Sequence, residues 1–485
     1  MKMAIGEDGS KAFMSDTLEA AKILSRHADE DALIHVISHL DADGLAAAGI
    51  IAKALFRLGA RFRVRIQQWI DERIVSEITS DKPDLAVLTD LGSGYLNVLN
   101  ERLSDFQIVI LDHHQPVGEA GENILQVNPH LRGIDGSKDI SGAGVAYFTS
   151  KALDETNKDS AEIAVVGALG DLQDKYEQRA LGGLNRKIVE DGVANERLKV
   201  EKDLMFFGRE TRPIHKALAY TTNPFLPGIT GEEDKSFAFL AGLDIKPKDG
   251  EKWRALRDLA DHEKRRLCSA LSDHLLSKGY PSDVLNLVGS VYTLVREEPW
   301  TPLRDAREFS VLLNGTGRME KAGIGVAICM GDRGAALEQA EDVLAEYRRT
   351  ITKYLSWLME EPGRVEELES IYVVRGEGFI NEKVIGTLSS ILSTSLPKPQ
   401  KPIIAYATVP DEDVVKVSAR TLDTLTSKGL DLGELMRIAS EKFDGKGGGH
   451  DIAAGAQVPT KDVDAFISLV DKLVKKAVDQ IEAES

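Results

Sequence analysis

Through the first 190 residues, short apolar runs alternate with stretches of helical periodicity, and three of those runs end in side chains able to bind metals. Leu33 to Ser38, Phe62 to Gln67, Leu85 to Thr89 and Gln107 to Leu111 read as strands, and Gly44 to Leu58 has apolar residues at helical spacing. Strands alternating with helices predict a parallel sheet covered by helices, because parallel neighbours need a crossover connection. In such sheets ligands gather outside the carboxyl ends of the strands. That is where His39, Asp41 and Asp43 fall, then Asp90, then Asp112, His113 and His114. Asp171 follows the more ambiguous run Ile163 to Gly170, read as a helix.

In a strand leaving a sheet, residues i, i+2 and i+4 share a face, so His39, Asp41 and Asp43 can converge. Gly44 lets the chain turn at once into a helix. Alone, Asp41 or Asp43 would serve equally well as that helix's cap. The further donors tip the reading toward a metal site, and there are more of them than one ion needs. Adjacent side chains diverge, so one of the two histidines can ligate while the other faces a substrate. Asp112 reads as a carboxylate that orients a histidine. Carboxylate and imidazole donors without thiolate favour Mn²⁺ or Mg²⁺ over structural zinc. Two such ions about 3.5–4 Å apart can share a hydroxide and clamp the oxygens of an in-line displacement at phosphorus. Asp90 is the natural bridging carboxylate.

The rest of the chain narrows the class. At 485 residues it is too long for one core. A net charge of -18 repels nucleic acid unless bound metals or a local basic groove intervene. Two cysteines far apart argue against a disulfide framework or a thiolate zinc site. The opening residues lack the apolar core of a secretory signal, and no apolar run approaches the ~18 residues of a membrane span. A cytoplasmic location is the expectation.

The organisation expected is α/β and two-lobed. Residues 1–190 form the metal-binding domain, 191–305 a mainly helical insert and 306–485 a smaller α/β domain. In the insert, Glu251 to Ser277 reads as one amphipathic stretch, with Trp253, Leu256, Leu259, Leu267 and Leu271 as core contacts after a loop at Asn223 to Gly228. Beyond it, strands are expected at Phe309 to Leu313, Gly325 to Met330, Ser370 to Val374, Ile403 to Thr408 and Val414 to Ser418. Helices are expected at Arg333 to Glu360, Lys383 to Leu392 and Lys461 to Ile481, with a turn at Lys398 to Pro402.

Several motifs suit a phosphate. The glycine run Gly445, Gly447, Gly448 and Gly449 before His450 lets backbone N–H groups approach an anion, and it reads equally as a flexible loop or a tightly packed return strand. Ser418 and Arg420 end a strand, where a guanidinium can grip phosphate. Asn314 to Arg318 reads as a turn presenting Arg318 to an anion. Ser141 to Gly144 opens a helix whose N-terminus suits an anion or close packing. Asn128 and His130 lie in a loop that would line the site. Arg61, Arg63 and Arg65 share one strand face and are candidates to track a polynucleotide backbone. Trp69, Tyr95 and Phe379 are candidates for base stacking or for the core.

The series His-x-Asp-x-Asp-Gly from His39, isolated Asp90, Asp-His-His from Asp112 and Gly-Asp at Asp171 resembles the DHH phosphoesterase superfamily. The distal Ser-x-Arg from Ser418 and Gly-Gly-Gly-His ending at His450 resemble its carboxy-terminal DHHA1 domain. The insert and the Asn-Gly-Thr-Gly-Arg segment look like the archaeal RecJ-like nucleases, some of which associate with the GINS component of the replicative helicase. Bacterial RecJ proteins usually carry aspartate where His39 stands and an additional oligonucleotide-binding domain. The resemblance implies that His39, Asp41 and Asp90 hold one metal, and that Asp43, Asp90, His113 and Asp171 hold the other. It implies catalytic roles for Asp90, Asp112 and His114. It also places Arg420 and His450, with the Ser418 strand end and the Gly448 and Gly449 backbone, among the substrate-binding residues, to which the reading of the motifs adds Asn128 and Arg318. The expected activity is a two-metal, Mn²⁺- or Mg²⁺-dependent exonuclease acting on single-stranded DNA or RNA in replication or repair. The alternatives are a nano-oligonucleotide or cyclic-dinucleotide phosphodiesterase, and a replisome scaffold bound to GINS.

Overall fold

The computed structural model describes residues 7–484 apart from 222–223, 361–362, 396–400 and 411. The chain forms two compact units, Met1–Leu344 and Ala345–Ser485.

The first unit opens with helix α1 (Glu7–Asp29) and a five-stranded sheet of β1 (Leu33–His39), β2 (Arg61–Gln67), β3 (Leu85–Thr89), β4 (Ile108–Leu111) and β5 (Ile124–Val127). The order is β2-β1-β3-β4-β5 and every pairing is parallel. β3 and β4 are buried throughout, as continuous apolar strands covered on both faces must be. Helix α2 (Ala42–Arg57) packs against α3 (Gly142–Leu153) and α4 (Ala161–Gly170) on one side of the sheet. β2 is an edge strand, and its arginines are committed. Arg63 pairs with Asp81 at 2.5 Å, Arg65 with Glu77 at 3.2 Å and Arg61 with Asp31 at 3.5 Å. They charge the sheet edge against further pairing rather than offering a track for a polynucleotide.

Two expected strands are helices. Phe309 to Leu313 lies in α5 (Ala306–Arg318), and Gly325 to Met330 lies in α6 (Ala322–Met330). Asp305 caps α5 by accepting from the N–H groups of Arg307 and Glu308 at 2.9 and 3.1 Å. Asn314 to Arg318 is therefore the last turn of a helix and not a loop. Its glycine at 317 is needed because a side chain there would run into the Leu40 carbonyl beside the metal-binding motif. Both helices pack on α2. A short apolar run buried on all sides looks the same in sequence whether it is strand or helix.

The insert is closed at its base by the antiparallel pair Leu198–Leu204 and Val288–Leu294. Its own core includes Phe206, Ile214, Leu218, Leu256, Leu259, Leu267 and Leu271. Trp253 is not among them. It lies in a short hairpin, 40% exposed, and the helix expected from Glu251 begins only at Asp261. Asn223, in the loop expected before that helix, lies outside the described residues.

Helix α7 (Ala335–Glu360) leads into the second unit. Its sheet comprises β6 (Val365–Glu367), β7 (Tyr372–Arg375), β8 (Ile403–Thr408), β9 (Val414–Arg420), β10 (Lys446–Gly449) and β11 (Ala453–Pro459). The order is β6-β7-β8-β9-β11-β10, with only β7 and β8 parallel, joined through α8 (Ile385–Ser395). Phe466, Val470 and Val474 of the last helix, Val463–Glu484, share a core with Val417 and Ala419. The glycine run is strand β10, pressed so closely on helix Leu432–Glu441 that a side chain at Gly447 would meet the Met436 carbonyl. Most of the turn expected at Lys398 to Pro402 lies outside the described residues.

No helix among the described residues is long and apolar enough to cross a membrane.

Candidate metal centre

β1 delivers His39 to the carboxyl edge of the sheet, and α2 starts three residues later. Asp41 caps α2, accepting from Gly44 N–H at 3.0 Å with Oδ1, while its Oδ2 faces His39 Nδ1 at 3.1 Å. One carboxylate thus serves both readings of the motif, one oxygen to each. Asp43, in the first turn of α2, points the other way. Its oxygens accept from Gly142 N–H at 2.6 Å and Ala143 N–H at 3.0 Å. The anion at the N-terminus of α3 is therefore the protein's own carboxylate.

Asp90 leaves β3 with a left-handed backbone, φ 56°, a conformation aspartate tolerates better than most residues. Its two oxygens divide. Oδ2 lies 3.6 Å from His39 Nδ1, and Oδ1 lies 3.2 Å from His113 Nε2. His113 Nε2 is also 3.7 Å from Asp43 Oδ2 and 3.8 Å from Asp171 Oδ2. Two donor groups result, His39 with Asp41 and His113 with Asp43 and Asp171, joined by one carboxylate.

The histidines are oriented from behind. His113 Nδ1–H donates to the Gly136 carbonyl at 2.6 Å, which turns Nε2 and its lone pair toward the carboxylates. His114 Nδ1 bonds Asp112 Oδ1 at 2.8 Å, and the His114 side chain is 40% exposed. Asp112 is fully buried, with Oδ2 accepting from Ser93 N–H at 2.9 Å.

The electrostatics show an excess of negative charge. Burial opposes a proton on His39, but Asp41 and Asp90 beside it prevail and push its pKa up to about 10. Burial likewise works against a charged His113, yet Asp171, Asp90 and Asp43 raise its pKa well above the ordinary value. Asp43 is raised by burial and by the neighbouring Asp90, and Asp171 by burial despite His113. Among the described residues no lysine or arginine pairs with Asp43, Asp90 or Asp171. His39 Nδ1 and Asp90 Oδ1 are buried without a hydrogen bond. Converging oxygen and nitrogen donors, orphaned polar atoms and an excess of carboxylates over built-in cations fit divalent cations.

Other residues hold this geometry. Gln173, fully buried, donates through Nε2 to Asp171 Oδ2 at 2.8 Å and to the Gly136 carbonyl at 2.9 Å, and its Oε1 accepts from Asn185 at 2.6 Å. Asn314 of α5 accepts from Ala42 N–H at 3.2 Å, pinning the loop between His39 and Asp43. A side chain at Gly142 would reach Asp90 Oδ1, and one at Gly167 would reach Asp43 Oδ1. Sequence reasoning passed over Gln173 and Gly167, and read Asn314 only as the start of a turn. The glycine was visible, but not the carboxylate it abuts.

Asn128 is buried. It donates to the His114 carbonyl at 2.8 Å and caps His130 N–H at 2.9 Å, so it ties the loops together instead of facing a ligand. Arg318 lies close enough to help hold the Asp41 carboxyl below its usual range. Tyr95 packs on the sheet's core, its hydroxyl pKa raised to about 12 by burial. Trp69 is half-buried just after β2.

In the second unit the register sets Arg420 and His450 on either side of Ala453. Arg420 pairs with Ala453, and His450 N–H bonds the Ala453 carbonyl at 2.9 Å. Arg420 Nε donates to Ser390 at 2.9 Å, and Ser418 meets Ser389 at 3.1 Å. Gly448 and Gly449 pair with Gly455 and Ala454.

The chain matches the DHH family, N-terminal domain, over residues 33–170, the DHH-CID domain over 206–288 and the DHHA1 domain over 369–476. It is 32% identical over 448 residues to an uncharacterized protein, MJ0831, of Methanocaldococcus jannaschii, covering 91% of this chain and 93% of that one. It is 30% identical over 189 residues to the single-stranded-DNA-specific exonuclease RecJ of Thermus thermophilus, but this covers only 36% of this chain and 27% of RecJ. Among solved structures, the same organism's RecJ with Mn²⁺ superposes with a TM-score of 0.58 at 19% identity, over 95% of this chain and 55% of RecJ. CDC45 from Entamoeba histolytica superposes with a TM-score of 0.62 at 11% identity, over 95% of this chain and 99% of CDC45. These likenesses show the fold.

Proposed function

Since this chain belongs to the DHH/DHHA1 superfamily of phosphoesterases, in its RecJ-like branch, we propose that it is a metal-dependent exonuclease specific for single strands of DNA or RNA. The observation that carries this reading is the division of Asp90 between two donor groups, one oxygen toward His39 and the other toward His113. His39, Asp41 and Asp90 would hold one ion, and Asp43, Asp90, His113 and Asp171 the other. When bound, Mn²⁺ or Mg²⁺ would supply activation of a water and stabilisation of charge on the phosphate oxygens.

The chain's own residues would do the remainder. Asp112 fixes the His114 ring through Nδ1, leaving Nε2 to donate to an oxygen of the scissile phosphate. Gln173 and Gly136 keep Asp171 and His113 turned inward. Arg420 would grip a phosphate of the strand, with Ser390 limiting the rotation of its guanidinium, and the Gly448, Gly449 and His450 backbone would follow. Asp43 neutralises the N-terminus of α3, so that helix end is not a second phosphate site.

We assign the chemistry to the first unit and the hold on substrate to the second. The proposed setting is replication or repair in the cytoplasm. GINS or helicase components would be partners, to be sought by pull-down at physiological salt.

End-labelled single-stranded DNA and RNA 20-mers, a dinucleotide and a cyclic dinucleotide, each digested with Mn²⁺ and resolved on a gel, test the reading. Release of mononucleotides from the 20-mers, dependent on metal, is expected. A strong preference for the dinucleotide or cyclic dinucleotide would overturn it in favour of a small-substrate phosphodiesterase.

A further inference from the structure

In the second unit an aromatic stack stands at the carboxyl end of the parallel pair. The segment after β7, residues 376–384, leads into α8, the position at which parallel strands present ligands. Phe379 lies on it and is 39% exposed. Its ring stacks on Trp357 of α7, with centroids 4.6 Å apart and planes 20° from parallel. Tyr354, one turn earlier on α7, meets the Phe379 ring edge-on at 5.7 Å. The Lys353 ammonium is 5.2 Å from the Phe379 centroid, and the Arg364 guanidinium is 3.9 Å from that of Trp357. Lys353 has no carboxylate partner among the described residues. Glu377, on the same loop, acts on Tyr406 of the sheet.

A ring recruited only to fill the core would be covered, and it would have no need of ammonium and guanidinium groups at the rings. A flat, partly exposed stack flanked by cations has the chemistry of a nucleobase platform, offering a π-face to the base and positive charge to the neighbouring phosphate. In a chain of net charge -18, such a patch is the local exception a polyanion requires. Paired bases stack on one another, so only an unpaired base can occupy the ring.

We propose that Phe379, backed by Trp357, is a stacking platform for an unpaired base of the substrate strand, with Lys353 meeting the adjoining phosphate. This deepens, and rests on, the single-strand reading above. The Arg420 guanidinium lies beside Gly386 at the start of α8, the helix that the Phe379 loop leads into.

The test uses the full chain in EDTA, where binding is read without hydrolysis, by anisotropy of a labelled thymidine 20-mer. Phe379→Ala and Phe379→Leu are expected to bind about tenfold more weakly than wild type, and Phe379→Trp to retain affinity. An abasic 20-mer should bind wild type as weakly as the thymidine 20-mer binds Phe379→Ala. In Mn²⁺, Phe379→Ala should raise KM for the thymidine 20-mer toward that of the abasic 20-mer. If the alanine variant melts without cooperativity, the leucine variant decides, since it keeps the packing and removes the π-face. Alanine and leucine variants that fold and bind within twofold of wild type overturn the platform and assign the patch to protein contact. Equal binding of abasic and intact strands by wild type overturns it too. Base-dependent binding in a protein that cleaves nothing with Mn²⁺ would defeat the exonuclease reading and leave the platform standing.

Discussion

The first unit buries two kinds of acid. Asp203, at the base of the insert, is 7% exposed and lies between Arg209 and Lys264, the latter at 2.5 Å. Asp174 is held in the same way by Arg179 and Arg307, at 2.9 and 2.7 Å. Among the described residues, the basic side chains beside Asp43, Asp90 and Asp171 are imidazoles. A guanidinium or ammonium built into the fold offsets a carboxylate permanently, and the pair holds the structure together. A protonated imidazole offsets it only until the proton is displaced, which is the condition a cation site must satisfy.

The largest effects should separate the two kinds. Asp90→Asn removes the group shared by both halves of the metal centre. Nuclease activity on a 20-mer should fall on the order of 10³-fold, as expected when preorganised charge at the reacting phosphate is lost. The metal-free variant should melt no lower than wild type, because a crowded negative charge has gone. Asp203→Asn should do the reverse. Leaving buried Arg209 without its partner destabilises by about 3–5 kcal/mol, read in a urea titration, with activity per folded molecule preserved. A loss of stability in Asp90→Asn equal to that in Asp203→Asn would erase the distinction.

Added Mn²⁺ should raise stability by about 2.7 kcal/mol at one hundred times its Kd in wild type and in Asp203→Asn, and not in Asp90→Asn. The pH dependence has a definite sign. His39 titrates near 10 in the metal-free protein, so below that pH an ion must expel its proton to bind. Binding should release protons and tighten as pH rises from about 6 to about 8, measurable by calorimetry in buffers of different ionisation enthalpy. Affinity that does not change with pH would mean that the imidazoles are not exchanging a proton for the ion.

The smallest effect should come from Gln173→Ala. It leaves every carboxylate and imidazole in place and frees Asp171 and His113 to turn, and Mn²⁺ affinity should weaken about 10–100-fold. Unchanged affinity would show that the surrounding packing, and not this amide, sets their direction.

The acids differ in how far they could be read in advance. β3 and β4 were legible because a strand buried on both faces leaves an unbroken apolar run, and β1 because only His35 interrupts Leu33 to Ile37; the donors stand at or directly after the ends of these strands. The same signal misled at Phe309 to Leu313 and Gly325 to Met330, since a short, largely apolar helical segment packed on α2 reads like a strand. The pairing of Leu198–Leu204 with Val288–Leu294 left no local trace, because each strand's partner lies a whole insert away. Gln173 and Asn314 carry ordinary amides, and their roles appear only once Asp171 and Ala42 stand beside them.

Sequence alone settles which donors the chain owns and that most of them end strands, since side-chain chemistry and local periodicity need no distant partner. Folding decides the rest: that Asp90 turns one oxygen to each histidine, that a helix end is spent on Asp43, and that among the described residues no lysine or arginine forms an ion pair with Asp43, Asp90 or Asp171. Those facts are distances through space. They depend on sheet order and on helices that join residues as far apart as Ala42 and Asn314, which no local pattern encodes.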